Sequence, residues 1–313
     1  MDSAPASAFT KEKTFSSYNE QQGKAYAQAR PDYHPSLYET VINHHTSTGG
    51  QLETLLDLGC GPGNVARAIG TQFTHAIGLD PSVGMIATAR SLGGKTSTSE
   101  PIRFEVATAE DQGANLSPPI QDASVDLITA ANAAHWFDMS LFWLNAARVL
   151  KPGGSVALWV SGRLRLDTSV PNAAAIQAAL DVVEEEDLSP FFTDGNLMTR
   201  NRYADLLLPW TLEQPVPQFD EGSFFRKNWD TADDFFAYNT EVNLDTFELL
   251  AATTSPVTRW REAHPDLCST ENDVIKKSRI MIERLQQEAG VEKGKESIKV
   301  AMQGAVLIIK KRD

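Results

Sequence analysis

The feature that most constrains this chain is the stretch Leu55-Leu56-Asp57-Leu58-Gly59-Cys60-Gly61-Pro62-Gly63-Asn64. An apolar run ends in three alternating glycines and passes at once into helix-compatible sequence, which is how a strand–turn–helix unit with a buried strand begins. Glycines at such a turn let the backbone approach a ligand closely, where a Cβ would collide with it. The spacing is G-x-G-x-G, not the G-x-G-x-x-G that seats a pyrophosphate on a helix N-terminus. Asp57 lies inside the strand end, badly placed for a pyrophosphate and well placed for an ammonium group. A second acid, Asp80, closes the next apolar run 17 residues after Gly63. It is positioned to accept hydrogen bonds from two ribose hydroxyls.

Strand and helix signals alternate through the first half. Strands are expected at 52–58, 76–79, 102–107, 125–130 and 155–160, with helices at 35–45, from 64, at 83–92 and at 140–150. Asp80-Pro81 and Lys151-Pro152-Gly153-Gly154 punctuate them. Such alternation implies parallel strands with right-handed crossovers, hence an α/β fold with an open, doubly wound, mostly parallel sheet. The pattern then changes. Residues 173–186 read as a helix whose acidic end, Glu184-Glu185-Glu186-Asp187, is a solvated face. Residues 191–260 are rich in aromatics and read as an irregular helical insertion. Residues 272–289 read as an amphipathic helix, and 300–310 as a strand that rejoins the sheet. The expected organisation is a flexible lead at 1–25, a core at 26–160, an inserted and mainly helical cap at 161–267, and a helix and strand at 268–313 that complete the core.

Composition narrows the function classes. The 313 residues are 42% hydrophobic and carry a formal charge of −13, which disfavours nucleic acid and anionic bilayers as partners. No apolar run approaches the roughly 20 residues needed to span a bilayer, and residues 1–13 lack the apolar region of a secretory signal. With only Cys60 and Cys268, one of them between glycines, a disulfide is not expected. A cytoplasmic protein, monomeric or homodimeric, is the expectation. His34, His44, His45, His75 and His264 show no metal-ligand spacing with the cysteines, so no metal is expected.

A nucleoside that carries an amino acid and no phosphate satisfies both Asp57 and Asp80, and S-adenosylmethionine is that molecule. The segment resembles the class I S-adenosylmethionine-dependent methyltransferases. Further along, Ile128-Thr129-Ala130 followed by Ala134-His135-Trp136-Phe137-Asp138 is similar to fungal trans-aconitate methyltransferase-like (methyltransferase type 11) proteins. So is Tyr26-Ala27-Gln28-Ala29-Arg30-Pro31-Asp32-Tyr33, which matches their Y-x-x-x-R-P-x-Y element. The resemblance covers about Tyr26 to Val160. It implies that Gly59, Gly61 and Gly63 pass under the cofactor, that Asp57 lies near its ammonium and that Asp80, followed by Pro81, binds its ribose. It further implies that Met85, Ala109 and Glu110 meet the adenine, with Thr108 where many relatives have Asp. Arg30 pairs with the methionine carboxylate and Tyr26 closes over it, while Ala131 and Asn132 offer backbone groups. His135 is expected as a base or acceptor-positioning group and Trp136 as a pocket wall. The implied activity is methylation of a small molecule, on oxygen of a carboxylic acid of the trans-aconitate type or of a secondary metabolite. One departure concerns the substrate. The family's Y-x-R-T-W-S stretch is here Tyr238-Asn239-Thr240-Glu241-Val242-Asn243, with Thr240 at the arginine position. The cap cations Arg200, Arg202, Arg226, Lys227, Arg259 and Arg261 remain candidates for meeting an anionic acceptor. A nicotinamide-dependent oxidoreductase and a non-methylating relative that keeps the cofactor fold stay open as alternatives.

Overall fold

The computed structural model describes residues 14–30, 32–230, 235 and 241–313. Its centre is a sheet built from β1 (Thr54–Leu58), β2 (His75–Asp80), β3 (Arg103–Val106), β4 (Val125–Ala131), β5 (Leu150–Leu166), β6 (Phe219–Trp229), β7 (Glu241–Asn243) and β8 (Ser297–Lys311). The order is β3-β2-β1-β4-β5-β8-β6, with β7 also paired to β8. β1 to β5 run parallel, and β8 lies antiparallel between β5 and β6. The expected doubly wound, mostly parallel sheet is therefore present, and the apolar C-terminal segment does rejoin it.

The continuous apolar character of the central strands follows from burial on both faces. Leu56 and Leu58 of β1 pack with Ile128 of β4 and Leu158 of β5 against Phe142 and Trp143 of α5 (Met139–Val149). Leu55, Leu127, Ala157 and Trp159 face the other way, toward α2 (Pro35–Ser47) and α3 (Asn64–Gly70). The chain leaves β1 toward β2 and β3, then returns to place β4 on the opposite side of β1. A crevice opens where the winding reverses, at the carboxyl ends of β1 and β4.

Three expectations are corrected. First, part of the 1–25 lead is ordered structure. A turn precedes α1 (Glu20–Ala29), which Asn19 starts with a reciprocal capping box to Gln22. α1 lies on α4 (Val83–Leu92) through glycines: a Cβ on Gly84 would fall 2.3 Å from the Asn19 carbonyl oxygen, and one on Gly23 2.6 Å from the Gly84 carbonyl oxygen. Second, residues 191–260 are not a helical insertion throughout, because Phe219–Trp229 is a strand of the main sheet. Third, β5 does not stop at 160 but pairs with β8 from Ser155 to Leu166, with a register shift between Ser161 and Leu164. The helical material of this region is α6 (Ala173–Val183), α7 (Asp194–Arg200), α8 (Leu244–Ala252) and α9 (Ser255–Ala263). A single π turn, Glu184–Leu188, follows α6, and α10 (Val274–Glu288) is the expected amphipathic helix.

Candidate active site

The loop after β1 is held open by backbone conformation. Gly59, Gly61 and Gly63 have φ of +62°, +53° and +85°, a region that residues with a Cβ adopt only under strain. A Cβ on Gly59 would strike Ala133 at 2.6 Å, and one on Gly63 would strike the Phe104 ring at 2.7 Å. At Gly61 a Cβ would meet nothing within 4 Å, so this residue fronts open space above the crevice. Asp80 organises the same turn. Its Oδ2 accepts from the Gly61 amide at 2.9 Å and its Oδ1 from the Ser82 amide at 2.8 Å. Ser82 then caps α4 by accepting from the Met85 amide.

Asp57 is the electrostatic centre. It is 1% exposed; its Oδ1 accepts from the Thr129 hydroxyl at 2.7 Å, and its Oδ2 has no hydrogen-bond partner among the described residues. Burial lifts its pKa from the ordinary 3.8 to about 7, against the opposing pull of the Thr129 hydroxyl and the Ala66 amide, while Asp80 adds to the rise. A buried acceptor with an empty lone pair is costly unless a donor arrives.

A buried donor stands at the C-cap of α1. The Arg30 guanidinium stands 5.3 Å from the Tyr26 ring centroid, and its buried Nε is without a partner among the described residues. Tyr33 links the two ends: its hydroxyl accepts from the Asn132 amide group at 3.2 Å. Burial pushes the pKa of that hydroxyl well above the usual tyrosine range, helped by Tyr26 and Asp57 and opposed by Asn132 and Arg30. Arg30 and Asp57 thus act on one hydroxyl from opposite signs. Asn132, at φ +50°, takes the Ser161 amide at 2.8 Å and the Ser161 hydroxyl at 3.1 Å on its Oδ1, tying the end of β4 to β5 just past Ala131.

The residues expected around adenine are divided. Met85 and Ala109 are buried beside the crevice strands, and Pro81 is exposed. Glu110 has one oxygen committed to the Asp138 amide at 2.9 Å, where it braces the start of α5. Pro31, Phe236, Tyr238 and Thr240 lie outside the described residues.

His135 sits in a short 3-10 turn, Ala134–Trp136, and is 8% exposed. Its Nδ1 is 2.8 Å from the Tyr203 hydroxyl, and burial depresses its pKa to about 3. Such an imidazole is neutral at physiological pH and a feeble proton acceptor. Arg202 and Tyr203 both adopt left-handed backbone, at φ +56° and +61°, so strain is stored where the cap meets His135. The Trp136 ring lies 4.5 Å from that of His135 and tilted to it by 55°, meets Phe15 at 6.3 Å, and would be struck at 2.5 Å by a Cβ on Gly195 of α7. Sequence reasoning did not single out Thr129, Tyr203 or Phe15, since each works through a contact remote along the chain.

Most of the cap cations are spent on structure. Arg200 pairs with Glu184, and Arg261 with Asp273 at 2.8 Å. Arg226 donates to the carbonyls of Arg202 and Tyr203; Arg259 donates to the Phe191 carbonyl and the Asn196 side chain. Lys227 lies 3.8 Å over the Phe235 ring. Cys60 and Cys268 are both free. Among the described residues, no group of three His, Cys, Asp or Glu side chains could hold a metal ion, and no helix is long and apolar enough to cross a membrane.

Comparison with known proteins bears on this geometry. Residues 56–158 match the family described as "Methyltransferase domain". The chain is 33% identical over 164 residues to methyltransferase cfoB of Aspergillus candidus, covering 51% of this chain and 49% of that protein. It is 30% identical over 134 residues to CRG1 of Saccharomyces cerevisiae, named as an S-adenosylmethionine-dependent methyltransferase, covering 43% of each. The chain thus spans about half the length of the curated relatives it matches. A methyltransferase structure from Anaeromyxobacter dehalogenans superposes with a TM-score of 0.59 at 22% identity, over 90% of this chain and 97% of that one, a likeness of fold. The chain carries a class I S-adenosylmethionine-dependent methyltransferase domain. S-adenosylmethionine is the cofactor of that class.

Proposed function

We propose that this chain transfers the methyl group of S-adenosylmethionine to an oxygen of a small organic acceptor, a carboxylic acid or a secondary metabolite. The observation that carries the reading is the pair of unsatisfied buried groups, Asp57 Oδ2 and Arg30 Nε, which act on the same Tyr33 hydroxyl beside an open glycine turn. An acceptor lone pair and a donor so placed suit the ammonium and carboxylate of one amino-acid moiety. Asp80, at the carboxyl end of β2 and bonded to the glycine turn, would take the ribose hydroxyls. Met85 and Ala109 would contact the adenine, with Glu110 at its margin and Tyr26 over the methionine end.

The cofactor's sulfonium supplies the reactive methyl group. The chain's own task is alignment and the exclusion of water. His135 and Trp136 stand beside the end of β4, where the acceptor would sit. The weak basicity of His135 favours a nucleophile already ionised at neutral pH, and a carboxylate is one. Relatives named methyltransferases over the same core support the class of reaction. Glu241, which follows Thr240, accepts from the Ser297 hydroxyl and so braces β7 against β8.

The test is a methyl-transfer screen with labelled cofactor against organic acids, phenols and thiols, paired with calorimetry of S-adenosylhomocysteine binding. Methyl transfer to an organic acid or phenol supports the proposal. Label found solely on protein side chains or nucleic acid overturns it, as does an absence of S-adenosylhomocysteine binding by the folded protein.

A further inference from the structure

Arg163 is a cation of this region with no assigned task. Arg163 lies in the register shift of β5 between Ser161 and Leu164, and its guanidinium makes no hydrogen bond or ion pair among the described residues. A bulge of this kind turns a side chain away from the regular ladder, and such features recur beside active sites. Arg163 opens onto a cavity of about 360 Å³ that is also lined by Asp181, Glu184, Glu185, Glu186 and Arg200. Asp181 is neutralised by Arg165 at 3.0 Å and Glu184 by Arg200. The charges left over are Arg163 on one side and the exposed Glu185 and Glu186 on the other.

The cavity is close to the reaction centre. Ser161, bonded to Asn132 at the end of β4, precedes Arg163 by two strand residues, about 7 Å of chain. On the far wall, α7 sets Gly195 of its first turn against Trp136 and ends at Arg200, about 8 Å further on.

We propose that Arg163 is a specificity-determining residue that holds an anionic group of the acceptor remote from the oxygen that is methylated. Resting on the methyl-transfer reading above, this defines the acceptor as a small dicarboxylate. One carboxylate lies at His135 and Trp136 as the nucleophile, and the other forms a forked pair with Arg163.

The test is calorimetry on the full chain saturated with S-adenosylhomocysteine, using succinate, glutarate and adipate against the corresponding monocarboxylates and tricarballylate. The expectation is that at least one dicarboxylate binds about 10–100-fold tighter than its monocarboxylate. Arg163→Gln should abolish that preference, and Arg163→Lys should restore part of it, with S-adenosylhomocysteine affinity unchanged in both. Equal binding of dicarboxylate and monocarboxylate overturns the proposal, as does a preference that survives Arg163→Gln. Binding of tricarballylate tighter than every dicarboxylate overturns the assignment of a dicarboxylate acceptor. Failure of S-adenosylhomocysteine to bind is a separate result and overturns the underlying methyltransferase reading.

Discussion

Asp57→Asn tests the electrostatic core of the site most directly. In the folded chain the carboxyl is buried, with one oxygen unpaired, and its pKa stands near 7 instead of the ordinary 3.8. The folded state therefore holds a proton that the unfolded state releases, so stability must fall as pH rises from about 4 to about 7. At about 1.4 kcal/mol per unit, the full loss above pH 7 is about 4 kcal/mol. Asparagine removes the charge but leaves an amide where Oδ2 stood, an unpaired donor that costs about 1–3 kcal/mol. At pH 8 the ligand-free variant should thus be more stable than the parent by about 1–3 kcal/mol, and at pH 4.5 less stable. The same change should weaken S-adenosylmethionine, because the ammonium loses its ionised partner. The parent's affinity should also rise with pH through 7 as the carboxyl ionises. Urea unfolding of both proteins from pH 4.5 to 8.5 gives the difference curve, and calorimetry in buffers of different ionisation enthalpy gives the proton release. A flat difference curve, or identical cofactor affinity in a folded variant, would refute the reasoning.

Other consequences are as specific. Asp80→Ala should weaken S-adenosylhomocysteine by about 1–3 kcal/mol and lower the melting temperature, because the Gly61 and Ser82 amides also lose their acceptor; unchanged calorimetric affinity would remove Asp80 from the ribose. Gly84→Val should force α1 off α4 at a cost of about 1–3 kcal/mol. It should weaken the cofactor through Tyr26 and Arg30, and a variant that binds as the parent does would show that α1 takes no part. His135 is held near pKa 3 against its ordinary 6.5, so its share of stability is complete above 6.5 and is lost as pH falls toward 3. His135→Gln should then change turnover on a carboxylate acceptor less than about tenfold, whereas a base would cost about 10²–10⁴-fold, with a matching loss of the pH dependence of kcat.

How much of this was legible in the sequence depended on how local each feature is. β1 to β5 announce themselves because both faces of each are buried and the glycines, prolines and caps that end them act within a few residues. Asp57, Asp80 and the three glycines were legible from the same turn, where β1 and β2 end. β6 was hidden for a physical reason. Its pairing with β8 shifts between Asp220 and Phe225, and the polar run Asp220-Glu221-Gly222-Ser223 erases the period of two that marks a strand. The end of β5 was hidden likewise, since Arg163 and Arg165 look like loop residues until β8 supplies a partner ladder. The spacing of Ala134-His135-Trp136 shows that the imidazole stands at the end of β4. That it is buried against Tyr203, 68 residues on, is a fact of tertiary packing that no local pattern carries.

The electrostatics follow the same division. A chain of charge −13 would seem hostile to an acidic acceptor, but ionic screening confines that field to about 8 Å at physiological salt. What decides affinity is the charge left unpaired at the contact. The cap's arginines give a misleading impression by number, because Arg200, Arg226, Arg259 and Arg261 are bound to carboxylates, carbonyls or side-chain oxygens of their own chain. Each such pair is satisfied, and breaking it to admit a ligand would strand a half-buried carboxylate or carbonyl. Among the described residues, the buried Nε of Arg30 and the guanidinium of Arg163 have no such commitment. An anionic group held at one such cation is an arrangement a net-negative chain can sustain, because it needs a free cation and not a basic surface.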